Sequence, residues 1–300
     1  MLQGCKIAFL GGDARQIEVI RHCSNLGASI VLYGYETLKN EFPGTIKKSI
    51  TPDIFTDVDA IVLPVQGIQK DGKLESCFTS KQLILHEEHF THAKKDTLVF
   101  TGMANSSLRR ICEQNRLSLI ELMDLDEVAI LNSIPTTEGA ILMAIQNTDF
   151  TIHHSNCFVL GLGRVGYTLA NKLRALGANV YLGARKAEDL ARAHEIGLLP
   201  FHIDDLHTHL TKADIVFNTI PALILDESQL LALPPHALII DLASKPGGTD
   251  FAFAEKRGIQ AILAPGLPGI VAPKTAGKII ANSLARLIQE HSKQLGGESE

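Results

Sequence analysis

The stretch CFVLGLGRVGYTLANKLRALGANVYL, residues 157–182, constrains the fold of this chain more than any other. An apolar run of strand length, a GxGxxG turn, an amphipathic segment of helix length and a second apolar run follow one another within a single βαβ span. Gly161 permits the tight turn out of the strand, Gly163 lets backbone approach a pyrophosphate, and Gly166 lets the helix pack closely on the sheet. A helix starting near Arg164 and Val165 aims its unpaired N–H groups and positive dipole end at an anion. A bare GxGxxG is weak evidence, and a glycine turn in an empty layer is its plain alternative. The flanking strands at the right spacing favour a dinucleotide cradle made by Gly161, Gly163, Arg164, Val165 and Gly166.

The motif sits mid-chain, so the residues before it need their own account. Short apolar runs at Lys6–Leu10, Ser29–Tyr33, Ala60–Pro64, Leu98–Thr101 and Ser118–Glu121 alternate with polar or helical segments, among them a helix over Arg15–Leu26. Near-continuous apolar runs of this kind suit parallel strands buried on both faces. Residues 126–147 break the pattern and read as a helix, an interruption at Pro135 and a second apolar helix. The alternation then resumes with strands expected near 157–160, 179–182, 214–219, 237–241 and 260–263, and the helix after GLGRVG over about 167–176. The chain ends in one amphipathic helix from Lys274 to Gln294 and a polar GGESE fray. The expected architecture is α/β: two Rossmann-like, doubly wound parallel-sheet domains with a cleft between them, linked by helices. The first domain would span 1–130, joined by the helix over 274–296, and the second 131–273.

The two halves begin alike, IAFLGGDARQIEVIRHCSNLGASIVLYGYE against CFVLGLGRVGYTLANKLRALGANVYLGARK. In the first, Gly11-Gly12-Asp13-Ala14-Arg15 lacks the third glycine, and Asp13 would repel a phosphate. That domain is expected to be Rossmann-shaped without a cofactor and to carry substrate. In the second, the acid that usually ends the second strand and holds the adenosine ribose is missing. Gly183 and Ala184 stand there, followed by Arg185 and Lys186. A guanidinium can meet a 2′-phosphate with a bidentate contact, so the pattern points to NADP rather than NAD. The alternative is a solvated loop that happens to be basic. Thr219, Ile220, Pro221 and Leu242, in the Gly/Pro-rich loops after later strands, complete the expected cofactor contacts.

Candidates for chemistry are fewer. Arg15, Lys245 and Lys274 are cations in loops expected to face the cleft, and each is equally well explained as a solvated side chain. Glu138, in TTEGA, reads as a charge favoured at a helix start more readily than as a base, and Asp13 is balanced between the same two readings. HEEHFTH at 86–92 lacks the H-E-x-x-H spacing and reads as a solvated helix face, while His202, His207 and His209 have no ligand spacing. No metal site is expected. There is no G-x-S-x-G elbow and no convincing Cys/His pair.

Bulk properties narrow the class further. Three hundred residues suit two domains, and a net charge of −5 with no basic block favours neither nucleic acid nor a membrane surface. Five scattered cysteines with no C-x-x-C pair fit reduced thiols. No run approaches the roughly 18 apolar residues of a membrane span and the start lacks a signal peptide's h-region, so a cytoplasmic protein is expected.

Taken together, GGDARQIEVIRHC, TGMANSSL, NSIPTTEGAILMAI, the GLGRVG strand and APGLPGIVAPKTAG resemble the A-subunit family of dipicolinate synthase from spore-forming bacteria. The likeness runs over nearly the whole chain, and its first and last stretches are the distinctive ones. It implies a partner, the flavoprotein-like B-subunit of dipicolinate synthase. It also implies conversion of dihydrodipicolinate, an intermediate of lysine biosynthesis, into pyridine-2,6-dicarboxylate in the mother cell during sporulation. Aromatising a dihydropyridine removes a hydride and a proton, which suits a nicotinamide cofactor, and a dicarboxylate would suit Arg15, Lys245 and Lys274. The layout also resembles 2-hydroxyacid dehydrogenases, without a counterpart of their His–Glu/Arg machinery, and fold alone carries no reaction. Another NADP-dependent dehydrogenase of a small carboxylic acid and a non-catalytic, nucleotide-binding regulatory protein remain as alternatives. A homo-oligomer is left open.

Overall fold

The structure, a computed structural model, describes residues 1–297, with side chains to 294; the polar end at 298–300 lies outside the described residues. The chain forms two compact units, one of Met1–Ala129 with the stretch that begins at Ala272, the other of Ile130–Val271.

In the first unit the elements run β1 (Lys6–Leu10), α1 (Arg15–Asn25), β2 (Ser29–Tyr33), β3 (Thr45–Lys48) and β4 (Ala60–Val62). A short antiparallel pair follows, β5 (Lys73–Leu74) and β6 (Leu83–Ile84), then α2 (Glu87–Thr91), β7 (Leu98–Thr101), α3 (Ser106–Gln114) and β8 (Ser118–Glu121). Six strands form a parallel sheet in the order β3-β2-β1-β4-β7-β8. The chain winds from β1 to one edge, returns, and winds from β4 to the other, so the order switches between β1 and β4. Alternate residues of each strand feed opposite faces. Ile7 and Phe9 join Val19, Ile20 and Leu284 in one core, while Ala8 and Leu10 join Phe55, Phe90 and Val99 in the other.

A long helix, α4 (Asp126–Gln146), leads out of this unit. The interruption expected at Pro135 is not there: α4 runs through it as one helix. Three hydroxyls serve carbonyls along it, Ser133 Oγ donating to Ile130 O at 2.6 Å and Thr136 Oγ1 to Asn132 O at 2.7 Å, with Thr148 Oγ1 reaching back to Ala144 O at 2.8 Å. By length and hydropathy α4 is also apolar enough to cross a membrane, which corrects the expectation that no stretch approaches a span. It is nonetheless built into the protein. Ala140 and Ala144 lie in the core of the second unit, and Ser133 Oγ is hydrogen bonded to Thr168 Oγ1 at 2.7 Å.

The second unit repeats the plan with β9 (Asn156–Leu160), α5 (Arg164–Ala175), β10 (Asn179–Ala184), α6 (Ala187–Glu195) and β11 (Leu199–His202). It continues with α7 (Leu206–Leu210), β12 (Ile215–Asn218), α8 (Glu227–Ala232), β13 (Leu238–Asp241), α9 (Phe251–Arg257), β14 (Gln260–Leu263) and α10 (Leu267–Val271). Its six strands are parallel in the order β11-β10-β9-β12-β13-β14, switching between β9 and β12. Cys157 and Val159 pack under Leu169 and Leu173, and Phe158 and Leu160 pack on the other face with Leu206 and Leu230. The last helix, α11 (Pro273–Gly297), lies on α1 in the first unit, where Gly277 is so close to the Arg15 carbonyl that a side chain would overlap it.

Candidate functional sites at the two strand-end crevices

Ligands in open parallel sheets bind beyond the carboxyl ends of the strands, at the switch in strand order. Each unit has one such place, and their contents differ.

In the second unit, β9 ends at Leu160 and the chain turns through Gly161 at a φ of +95°, where a Cβ would lie 2.8 Å from Thr219 Oγ1. Gly166, buried in the first turn of α5, leaves no room for a methyl group against the Gly161 carbonyl oxygen. Gly163 is different. It precedes α5 in extended conformation, has no atom within 4 Å of the place a Cβ would take, and offers the helix no side-chain cap. The start of a 12-residue helix thus keeps uncapped amides beside open space, which is what a pyrophosphate needs. Arg164 and Tyr167 are exposed on the first turn and, with Glu188, Asp189 and Arg192 of α6, border a hollow of about 530 Å³, while Val165, between them in sequence, is half-buried. On these observations the residues fit a dinucleotide.

The missing acid also has a structural cause. A side chain on Gly183 would run into Phe201 and Ile203, and Ala184 is buried at 4% exposure. Neither position can present a carboxylate to a ribose. Arg185 and Lys186 follow at once, both exposed, and among the described residues neither has an ion pair or side-chain hydrogen bond. Thr219 gives its hydroxyl to Leu160 O at 2.7 Å, so its side chain braces the glycine turn; Ile220 and Leu242 are half-buried beside it and Pro221 is exposed.

Sequence reasoning missed the pair that ties these strand ends together. Asn218 and Asp241, adjacent in register at the ends of β12 and β13, are both fully buried. Asp241 Oδ1 accepts from Ala243 N at 3.0 Å and from Asn218 Nδ2 at 3.1 Å. Its Oδ2 accepts from Gly248 N at 2.8 Å and from Thr249 Oγ1 at 2.7 Å. Asn218 in turn accepts from Ile220 N at 3.0 Å and donates to Ile220 O at 3.1 Å. The signal was available: a polar residue ending each of two consecutive apolar strands, NTIP and DLAS, has to be satisfied inside the protein.

In the first unit the crevice is filled from within. Gly11 and Gly12 both have positive φ, +55° and +110°. The segment Glu75–Cys77 lies across them, Gly12 N donating to Glu75 O at 2.8 Å and Cys77 N to Gly12 O at 2.9 Å. Asp13 turns back on α1 and accepts from Arg15 N at 3.0 Å, while the Arg15 guanidinium meets its carboxylate at 2.6 Å. A carboxylate therefore occupies the anion position at this helix start. Burial pushes the Asp13 carboxyl up, but the hydrogen bonds and charge of Arg15 outweigh it and hold the group below the usual carboxylate range. A hollow of about 460 Å³ remains beside it, lined by Asp13, Pro64, Gln66, Glu75, Ser76 and Cys77.

The other candidates are dispersed. Arg15 is buried at 7% exposure with its fork on Asp13, so the reading of it as a solvated side chain is corrected. Lys274 is exposed in the first turn of α11, one turn before Gly277, in the same unit as Asp13 and Arg15. Lys245 is exposed in the loop after β13, in the second unit. Glu138 is exposed in the middle of α4 rather than at a helix start, since the helix does not break at Pro135. The 86–92 histidines are not a solvated face throughout: His89 is buried at 5% exposure, with Nδ1 3.0 Å from the backbone N of His86. Of the remaining histidines, His209 stacks on Phe201 and His207 Nδ1 lies 3.0 Å from Ser228 O. Among the described residues no three His, Cys, Asp or Glu side chains are grouped as metal ligands.

These arrangements agree with what the chain is similar to. Residues 6–123 match the N-terminal domain of the dipicolinate synthase A-subunit, and residues 138–245 match the NAD binding domain of D-isomer specific 2-hydroxyacid dehydrogenases. The second unit is thus a nicotinamide-binding domain of dehydrogenase type. The crystal structure of the dipicolinate synthase A-subunit from Bacillus halodurans superposes with a TM-score of 0.94 at 48% identity, covering 96% of this chain and 99% of that one. A transhydrogenase from Sinorhizobium meliloti, 17% identical with a TM-score of 0.67 over 95% of this chain and 93% of its own, shares the fold. The dipicolinate synthase A-subunit of Bacillus subtilis (strain 168) is 48% identical over 296 residues, 99% of this chain and the whole of that protein. The chain belongs to the A-subunit family of dipicolinate synthase.

Proposed function

We propose that the chain is the NADP-dependent oxidoreductase component that converts dihydrodipicolinate to pyridine-2,6-dicarboxylate in the cytoplasm of the sporulating mother cell, working with the B-subunit of dipicolinate synthase. The observation that carries this reading is the open cradle at Gly163, in a chain 48% identical along its length to a dipicolinate synthase A-subunit. The dihydropyridine ring loses one hydride and one proton as it becomes aromatic. A bound oxidised nicotinamide supplies the acceptor for the hydride.

In this reading the second unit, 131–273 by sequence, takes the cofactor. Gly161, Gly163, Arg164, Val165 and Gly166 hold the pyrophosphate through backbone amides and the α5 dipole. Arg185, with Lys186, takes the 2′-phosphate beside Ala184. Thr219, Ile220, Pro221 and Leu242 line the nicotinamide end. The first unit, 1–130 with the helix over 274–296, takes the substrate. Lys274 and Arg15 are the cations this unit offers to a carboxylate, with Asp13 orienting Arg15, and Lys245 is the candidate cation of the second unit.

Incubating the purified chain with dihydrodipicolinate and NADP⁺, with and without the B-subunit, tests the proposal. The expected result is pyridine-dicarboxylate absorbance rising faster than the spontaneous rate, with matched formation of reduced cofactor. Full turnover by the B-subunit on its own would reduce this protein to a nucleotide-binding regulator.

A further inference from the structure

The carboxylate of Asp241 has four hydrogen-bond donors and no exposure, yet neither the phosphate grip nor the substrate cations use it. Its donors come from two different loops. Ala243, Gly248 and Thr249 belong to the loop after β13, whereas Asn218 ends β12 and holds Ile220 in the loop after it through both of its amide atoms. The loops also touch through backbone. A side chain on Gly248 would overlap the carbonyls of Ala222 and Ile220, and Ile224 N and Leu225 N both donate to Gly248 O at 2.9 Å. One buried carboxylate side chain therefore joins residues 218–225 and 241–249 into a single wall.

The position of that wall in the sheet tells what it faces. The switch in strand order falls between β9 and β12. The glycine turn and Arg185 stand on β9 and β10, which is the half that takes an adenosine phosphate, and the other mononucleotide half of such a sheet starts at β12. A carboxylate with four donors is costly to disturb, because every lost donor is left unpaired inside the protein. A neutral side chain of the same size cannot accept from all four.

We propose that Asp241, acting through Asn218 and the Gly248–Thr249 backbone, is a positioning residue. It holds the 219–221 and 242–248 loops where the nicotinamide end of the cofactor lies, and it leaves the adenosine end untouched. The proposal rests on the cofactor reading above.

The experiment separates the two ends of the cofactor. The unaltered chain, Asp241→Asn and the milder Thr249→Val, which removes one donor, are titrated calorimetrically with 2′,5′-ADP and with NADPH. The emission spectrum of bound NADPH is recorded alongside. For Asp241→Asn the 2′,5′-ADP affinity stays within about twofold of the parent, NADPH binding weakens by about tenfold or more, and the emission of bound NADPH reverts toward that of the free molecule. Thr249→Val shows the same split with a smaller loss, and it carries the test if Asp241→Asn does not fold. Equal weakening of both ligands, or unchanged NADPH affinity and emission, overturns the positioning role. If the unaltered chain takes up 2′,5′-ADP and NADPH with no measurable heat, the cofactor reading fails first and this inference with it.

Discussion

Gly166 faces the carbonyl oxygen of Gly161 with no space between them for a methyl group, whereas Gly163, midway between the two, faces nothing. The two outer glycines are thus required by the protein's own packing and the central one is not. Gly166→Ala should lower stability by about 1–3 kcal/mol, the usual cost of overpacking, visible as a drop in Tm. Gly163→Ala should melt like the parent yet bind nicotinamide dinucleotide at least about tenfold more weakly, since its methyl group would stand where the phosphates approach. Calorimetry and a thermal melt on both variants check the contrast.

Arg185 is exposed at the end of β10 with no carboxylate drawn to it among the described residues. Hydrogen bonds to charged groups contribute about 1.5–3 kcal/mol each. Arg185→Asp should therefore weaken NADP⁺ binding by roughly ten- to a hundredfold or more, and NAD⁺ binding by only a small factor. Parallel titrations with the two dinucleotides read the ratio, and equal losses would place the 2′-phosphate elsewhere.

The Asp13–Arg15 pair has a pH signature. Arg15 holds the folded-state carboxyl below its unfolded value. The stability it adds is present above the unfolded pKa and is lost as pH falls through the folded one. Because the Asp13 side chain is 41% exposed, the pair should contribute only about 1 kcal/mol after screening. Denaturant melts of the parent and Asp13→Asn should differ by a constant amount between about pH 5 and 7 and converge in acid. A gap that widens as pH falls would contradict the assignment.

Four of the five cysteines are buried and only Cys77 is exposed. Burial, with Asp59 adding to it, pushes the Cys5 thiol up to about 12; burial, with Cys5 nearby, does the same for Cys23; and burial alone brings Cys112 to about 11. Cys157 is raised to about 11 by burial against a hydrogen bond from Ser155. A thiol reagent at about pH 8 should modify one cysteine in the native protein and all five after unfolding. The single fast site should disappear in Cys77→Ser.

Much of this molecule can be read in its residues because its strands are buried on both faces. Lys6–Leu10, Ser29–Tyr33 and Leu98–Thr101 stand where their apolar runs predict them, and so does the less buried Gln260–Leu263 at a sheet edge. The strands that escape notice are edges: β3 reads TIKK, with lysines where a free edge discourages further pairing, and β11 reads LPFH, with the proline that only an edge tolerates. Pro135 misleads in the other direction, since local propensity predicts a break that packing of Ala140 and Ala144 overrides. The glycine cradle was legible because each glycine has a local reason. Of the Asp241 hub only the polar strand end was legible, because its four partners are spread over residues 218–249 and converge only when β12 and β13 pair.

The segment Glu75–Cys77 lying across Gly11 and Gly12, with Asp13 already bonded to the start of α1, sets a count. Two sheets wound the same way would suggest two coenzymes per polypeptide. Of the two helix starts that follow the first strand of each sheet, one remains able to receive a coenzyme, so saturation should come at a single equivalent, and the spare Rossmann layer is free to serve another molecule.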